Sequence, residues 1–305
     1  MRQNGGGLGS ALRPAWTSRP ERGRAYAARL GVRLALALGR RAARLLLVPI
    51  CLYFLCLSAG DRAASRKFLR KALGREPRLA DLFRHFHTFA TTILDRVYLL
   101  GGQYRRFDIR AFGEDVVQGL GERGEGGLLA GAHLGSFEIL RFLASEGRGM
   151  RVNVVMYEEN TRMLNAVLDA IDPQRSMPVI ALGKIDSMLK VDEALLRGEF
   201  VGMLADRNIQ GEGTISCPFL GEPARFPMGP FRLAAMLRRP LVLIVGLYRG
   251  GNRYDVHFEL LADFRDAGRG RDQKVREALE KYVSRLEHYC RLAPYNWFNF
   301  YDYWD

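Results

Sequence analysis

At 305 residues and 48% hydrophobic content, the chain is long enough for one large α/β domain with appendages, and its length does not demand a second core. The formal net charge of +13 is concentrated, with ten arginines and one glutamate in the first 44 residues; the excess forms an arm, not the basic groove that nucleic-acid recognition needs. Cys51, Cys56, Cys217 and Cys290 lack CxxC spacing, and His85 and His87 stand two apart on a predicted helix, which turns them to different faces; neither a metal site nor a disulfide framework is expected, and a reducing, cytoplasm-facing setting fits.

Residues 1–28, rich in Gly, Arg, Ser and Pro without apolar periodicity, read as a disordered basic arm. Residues 29–60 read as a membrane anchor or interfacial helix. Within them Leu45 to Ala59 is free of charge but shorter than the ~20 residues that span a bilayer. Arg33, Arg40, Arg41 and Arg44 suggest a first half in the headgroup layer, with Pro49 as a kink in the second. A buried core helix is the competing reading, and a cleaved signal peptide fits poorly because charged helix-forming sequence follows at once. Residues 61–305 read as the main folded domain. It opens with two amphipathic helices broken at Gly74 and Pro77, the second carrying Leu82, Phe83, Phe86, Phe89, Ala90, Ile93, Leu94, Val97 and Tyr98 at helical spacing.

Short apolar runs then alternate with helical stretches. LLAGAH, VNVVMY, PVIAL, FVGMLA and LVLIVGLY are predicted strands, with helices near 136–146, 160–171, 185–197, 229–238 and 272–289. This order predicts an α/β fold with a mainly parallel central sheet flanked by helices, and RYDVHFELL is expected to add an antiparallel edge strand. The tail from Tyr295 to Trp304 holds seven aromatics in ten residues, which suits packing across the sheet or an interfacial belt; packing is the preferred reading.

In the segment GAHLGSFE, His133 directly follows a predicted strand, where open α/β sheets place their sites. Gly131 and Gly135 would leave room for a substrate, Ser136 could cap the next helix, and Glu138 falls where it could reach back to the imidazole. A base of near-neutral pKa with a carboxylate on its far nitrogen suits attack by a hydroxyl. Spacing alone leaves this open against a simple capping pair.

The segment resembles the His-(four residues)-acid signature of the lysophospholipid acyltransferase superfamily, in the His-(four residues)-Glu form of its bacterial lipid A biosynthesis acyltransferase branch. GMLADRNIQGEGTISCPFLGEPARFPMGP, RRPLVLIVGLYR and APYNWFNFYDYW resemble later blocks of that branch in order, so the likeness covers roughly residues 30–304. The segment from Gly60 to Leu100 is more similar to members associated with aryl polyene or related acyl-lipid pathways.

The resemblance implies an acyltransferase at the cytoplasmic face of a bacterial inner membrane, using acyl carrier protein or acyl-coenzyme A as donor and a lipid or glycolipid hydroxyl or amine as acceptor. It implies no cofactor and no covalent acyl-enzyme. His133 would take the acceptor's proton and Glu138 would orient it. Backbone N–H groups after His133, or Arg207, would stabilise the oxyanion. Asp206 would hold Arg207 or the acceptor, with Ser136 and Arg225 as further substrate contacts. An ordinary surface Arg paired with Glu212 explains Arg207 equally well. Where the family carries Tyr-Arg-Pro and then Asn, this chain reads MYEENTRML: Glu158 replaces the Arg, Asn160 keeps the Asn, and Arg162 is the candidate substitute cation. The lost charge disfavours a strongly anionic acceptor. The alternative class is a non-catalytic, membrane-anchored partner of a lipid or polyene pathway, in which His133 would be dispensable. A phosphate-ester hydrolase lacks a visible nucleophile or metal cluster.

Overall fold

A computed structural model of the chain describes residues 22–139, 151–157, 171, 179–182, 186–207, 213–266, 268 and 270–304. Helix α1 (Arg22–Leu57) already starts inside the stretch read as a disordered arm, where Ala-Tyr-Ala-Ala supplies good helix formers. Its break lies at Gly39 (φ 75°, ψ 158°), and Pro49 stays within the helix. A residue without Cβ accepts that left-handed backbone where others would not.

Arg40 and Arg44 bind groups of the domain itself. Arg40 Nε and Nη2 donate to the two oxygens of buried Asp95 at 2.7 and 2.8 Å, Tyr254 Oη donates to the same carboxylate at 2.8 Å, and Arg44 Nη2 donates to Tyr248 Oη at 3.0 Å. Around this polar lock Val32, Ala35 and Ala43 pack with Leu94, Val97, Tyr98 and Ile244. The second half of α1 is different: Leu45, Leu46, Ile50, Leu52, Tyr53, Phe54 and Leu57 are all exposed.

Helix α2 (Ala59–Leu73) follows after a bend of 95°. Arg62 closes the end of α1 by donating to the Leu55 and Cys56 carbonyls, two of the orphan acceptors every helix terminus leaves. No single helix among the described residues is long and apolar enough to cross a bilayer, although Leu30–Leu57 and Ala59–Leu73 pass that test together as a bent pair. Helix α3 (Leu79–Leu100) buries Leu82, Phe86, Leu94, Val97 and Tyr98 of its predicted stripe and leaves Ile93 exposed.

Then come β1 (Asp108–Phe112), α4 (Asp115–Glu122), β2 (Leu128–Gly131), β3 (Val152–Tyr157), β4 (Val179–Leu182), α5 (Asp186–Leu196), β5 (Phe200–Leu204), β6 (Thr214–Phe219), β7 (Glu222–Pro227), α6 (Gly229–Met236), β8 (Pro240–Gly250), β9 (Arg253–Asp263) and α7 (Arg271–Leu292). Among the described residues the main sheet runs β1-β9-β8-β2-β5-β3-β4, parallel throughout except for the β8–β9 hairpin. The mainly parallel sheet flanked by helices is thus as expected, and β9 is antiparallel to β8. However, β9 is not at the edge, because β1 pairs with its outer side. Between Asp206 and Pro227, where no strand is predicted, lies an antiparallel ribbon of β6 and β7.

Candidate active site

Register brings the site together. Adjacent parallel strands β2 and β5 pair Gly131 with Leu204, so the residues two places further along each strand, His133 and Asp206, emerge side by side at the carboxyl ends. The imidazole Nδ1 lies 2.8 Å from Asp206 Oδ1, and the His133 backbone N–H donates to Oδ2 at 3.0 Å. Since a carboxylate only accepts, the proton of the neutral ring sits on Nδ1 and the lone pair of Nε2 is left for chemistry. The His133 side chain keeps 26% of its surface exposed, whereas Asp206 keeps none.

The aromatic tail completes the cluster. Trp297 Nε1 and Asn299 Nδ2 each donate to Asp206 Oδ2 at 3.1 Å. Arg207 Nε donates to Asn299 Oδ1 at 2.7 Å, its Nη2 donates to the Phe298 carbonyl at 3.2 Å, and its guanidinium lies over the Tyr301 ring. The tail's own backbone is tied to the loop after β2: Phe298 N–H donates to His133 O at 2.7 Å, and Gly135 N–H donates to Asn296 O at 2.8 Å. Asn296 exchanges two hydrogen bonds with the backbone of Tyr248 on β8. Behind it, buried His85 donates from Nε2 to the Trp297 carbonyl and accepts from Ser65 at Nδ1, both at 2.8 Å. Burial holds His85 at about 4, neutral at physiological pH. The tail is therefore packing, as preferred, and also part of the site.

The model for the family described as bacterial lipid A biosynthesis acyltransferase matches residues 23–305. The chain belongs to that family. It is an acyltransferase that transfers an acyl group to a lipid. No curated protein matches it. Among solved structures, the 1-acyl-sn-glycerophosphate acyltransferase PlsC from Thermotoga maritima is similar over 87% of this chain and 97% of that one, at 10% identity and a TM-score of 0.36, a likeness too distant to bear on mechanism.

In this acyltransferase the carboxylate expected to orient His133 is elsewhere. Glu138 forms an ion pair with Arg96 of α3 at 2.7 Å and accepts from Ser136 Oγ at 3.2 Å; among the described residues it makes no hydrogen bond to the imidazole. A short 3-10 turn (Phe137–Ile139) follows Ser136 and carries Glu138 toward α3. The glycines serve packing more than substrate access. A Cβ on Gly131 would meet the Phe137 ring at 2.8 Å, and one on Gly135 (φ 71°) would lie 1.9 Å from the Gly246 carbonyl.

The N–H groups of His133, Gly135 and Ser136 are already given to Asp206, Asn296 and Gly246, so these three do not form the anticipated oxyanion site. Arg225 is exposed on β7 opposite Ser216, away from the hydrogen-bonded cluster. Asn160 and Arg162, with Glu158 and Glu212, lie outside the described residues, as do most of the predicted helices 136–146 and 160–171.

Burial lowers the His133 pKa below the ordinary histidine value, and this outweighs the opposing pull of Asp206; Arg207 and Arg96 push it the same way as burial. Burial works against ionisation of Asp206 too, but His133, Arg207 and the hydrogen bonds it accepts hold it well below the usual carboxylate range. The resting pair is a neutral imidazole on a charged carboxylate. A groove of about 500 Å³ lined by Cys217, Glu280, Ser284, Glu287, His288 and Arg291 includes none of these residues. Among the described residues no group of three or more His, Cys, Asp or Glu is placed to hold a metal ion.

Proposed function

We propose that the acyltransferase moves a fatty acyl group from a thioester on acyl carrier protein or coenzyme A to a hydroxyl or amine of a lipid or glycolipid, with His133 as general base. One observation carries this reading: His133 Nδ1 is bound to buried, ionised Asp206, which leaves Nε2 as a fixed, neutral proton acceptor. The acceptor's proton passes to Nε2 as its oxygen or nitrogen bonds to the thioester carbonyl carbon. The tetrahedral intermediate collapses with cleavage of the C–S bond, and the imidazolium returns the proton to the departing sulfur. Asp206 stabilises the imidazolium between these steps. General-base assistance of this kind supplies roughly 10²–10⁴-fold. Arg96 and Arg207, whose charges both act on His133, are the cations for the developing oxyanion.

The apolar half of α1, from Leu45 to Leu57, supports a place at a lipid surface, with the cytoplasmic face of the bacterial inner membrane as the site of action. The acceptor reading stays with weakly anionic lipids, because Glu158 stands where the family carries Arg. Mass spectrometry of membrane lipids from cells expressing the intact chain or His133→Ala tests the whole scheme: an acylated lipid should be lost in the variant, and identical profiles would overturn the role of His133. Supplying the purified protein with each thioester in turn identifies the donor.

A further inference from the structure

We propose that Asn299 is a positioning residue of the active site, one that ties the orientation of Asp206 and the placement of Arg207 into a single unit and thereby sets the proton affinity of His133. The inference rests on the reading of His133 as the base.

Asn299 is buried, and each end of its amide does a different job. Nδ2–H donates to Asp206 Oδ2, while Oδ1 accepts from Arg207 Nε. No other side chain among the described residues makes hydrogen bonds to both. A carboxylate at this place would repel Asp206, and an apolar residue would leave a buried acceptor short of a donor and Arg207 short of an anchor. The amide dipole also keeps Arg207 from pairing directly with Asp206. Such a salt bridge would draw the carboxylate's charge away from the imidazole, as guanidinium forks bind carboxylates at both oxygens.

The charged and titratable groups around the pair come from several elements. Asp206 and Arg207 follow β5, Arg96 faces His133 from α3, Tyr282 and Cys290 of α7 lie near Asp206, and Tyr301 and Tyr303 come from the tail. Of these, the Asn299 side chain hydrogen-bonds only to Asp206 and Arg207. Its removal has two effects of one sign. Asp206, with one donor fewer, carries a less dispersed charge and holds an imidazolium more tightly. Arg207, released from its anchor, opposes protonation of His133 less.

The test is histidine NMR on the full-length protein in detergent. The chain has five histidines, and the His133 signal is the one lost in His133→Gln. In Asn299→Ala, and in Asn299→Asp with its added negative charge, the His133 titration should move up by about half a pH unit or more, within the spread neighbouring charges impose. The His85 signal, which reports on tail packing through the Trp297 carbonyl, should stay in place. A His133 titration that does not move in either variant, or that moves only together with His85, would overturn the proposal by making Asn299 ordinary tail packing. As a control, Phe300→Leu, which loosens the ring contacts with His85 and Phe86, should disturb the His85 signal and not the His133 titration. Failure of the underlying reading looks different: His133→Gln would then retain acyl transfer, whatever the Asn299 variants do.

Discussion

Two fully buried aspartates, Asp95 and Asp206, use the same chemistry for opposite ends. Asp95 faces a guanidinium directly: Arg40 grips both its oxygens and Tyr254 adds a third donor. Asp206 takes its side-chain donors from groups without formal charge, the imidazole, an indole and an amide, and its nearest cation is held one residue away by Asn299. A carboxylate neutralised by an arginine fork fastens two elements together. One left with a charge that only weak donors share can respond when a proton arrives on its neighbour. The difference separates the structural aspartate from the one beside the proposed base more clearly than burial does, since both side chains are inaccessible.

Breaking this contrast from the catalytic side gives the largest effects. His133→Ala should lower acyl transfer roughly 10²–10⁴-fold, the usual worth of a general base, without changing the melting temperature much; retained turnover would show that the proton leaves by another route. Asp206→Asn should come close behind, because an amide turned toward Nδ1 no longer fixes the productive tautomer; the same rate assay reads it, and a loss no greater than for Glu138→Gln would return the orienting role to Glu138.

The structural side should respond in stability. Asp95→Asn leaves the largely covered Arg40 without its counter-ion, a change that costs up to about 3–5 kcal/mol, read by denaturant unfolding, while turnover per folded molecule persists. The pH profile sharpens the comparison. Because only neutral His133 accepts a proton and burial lowers its pKa, activity should persist as pH falls through the ordinary histidine value of about 6.5 and decline only below it. An acidic limb above that value would mean the imidazole is stabilised in its charged form. Glu138→Gln, which loosens Arg96 and leaves the His133–Asp206 contact intact, should cost less activity than either His133→Ala or Asp206→Asn in the same rate assay.

The sequence made the sheet legible where apolar runs are long enough to be buried on both faces, as in LLAGA and LVLIVGLY, which became β2 and β8. It hid β1, whose five residues DIRAF alternate between exposed and half-buried, and the β6–β7 ribbon, whose polar residues resemble a loop. The apolar run of α1 was visible, but not that Arg40 and Arg44 turn inward, since periodicity does not reveal a partner as distant as Asp95.

The site was legible in the same uneven way. His133 stands out because it ends a strand. Glu138 was the natural partner by proximity along the chain, and Asp206, although singled out, was assigned to Arg207 or the acceptor. What joins His133 to Asp206 is the register of two parallel strands separated by some seventy residues, which no local spacing encodes. Trp297 and Asn299 were hidden for a related reason. In an aromatic-rich tail they look like packing, and the signal that points to them is the pair of Asn residues among the rings, polar groups that burial obliges to find partners.

The lock at Asp95 has a mechanical consequence. An apolar helix end joined to a domain through a pliable hinge would act as a leash, letting the catalytic face tumble above whatever surface the helix grips. Here the first half of α1 is bolted to α3 and to the β8–β9 hairpin by Arg40 and Arg44, so its apolar half is held at a set angle to the sheet. On the proposed placement at a lipid surface, the same hydrogen bonds set the height and tilt at which His133 meets an acceptor.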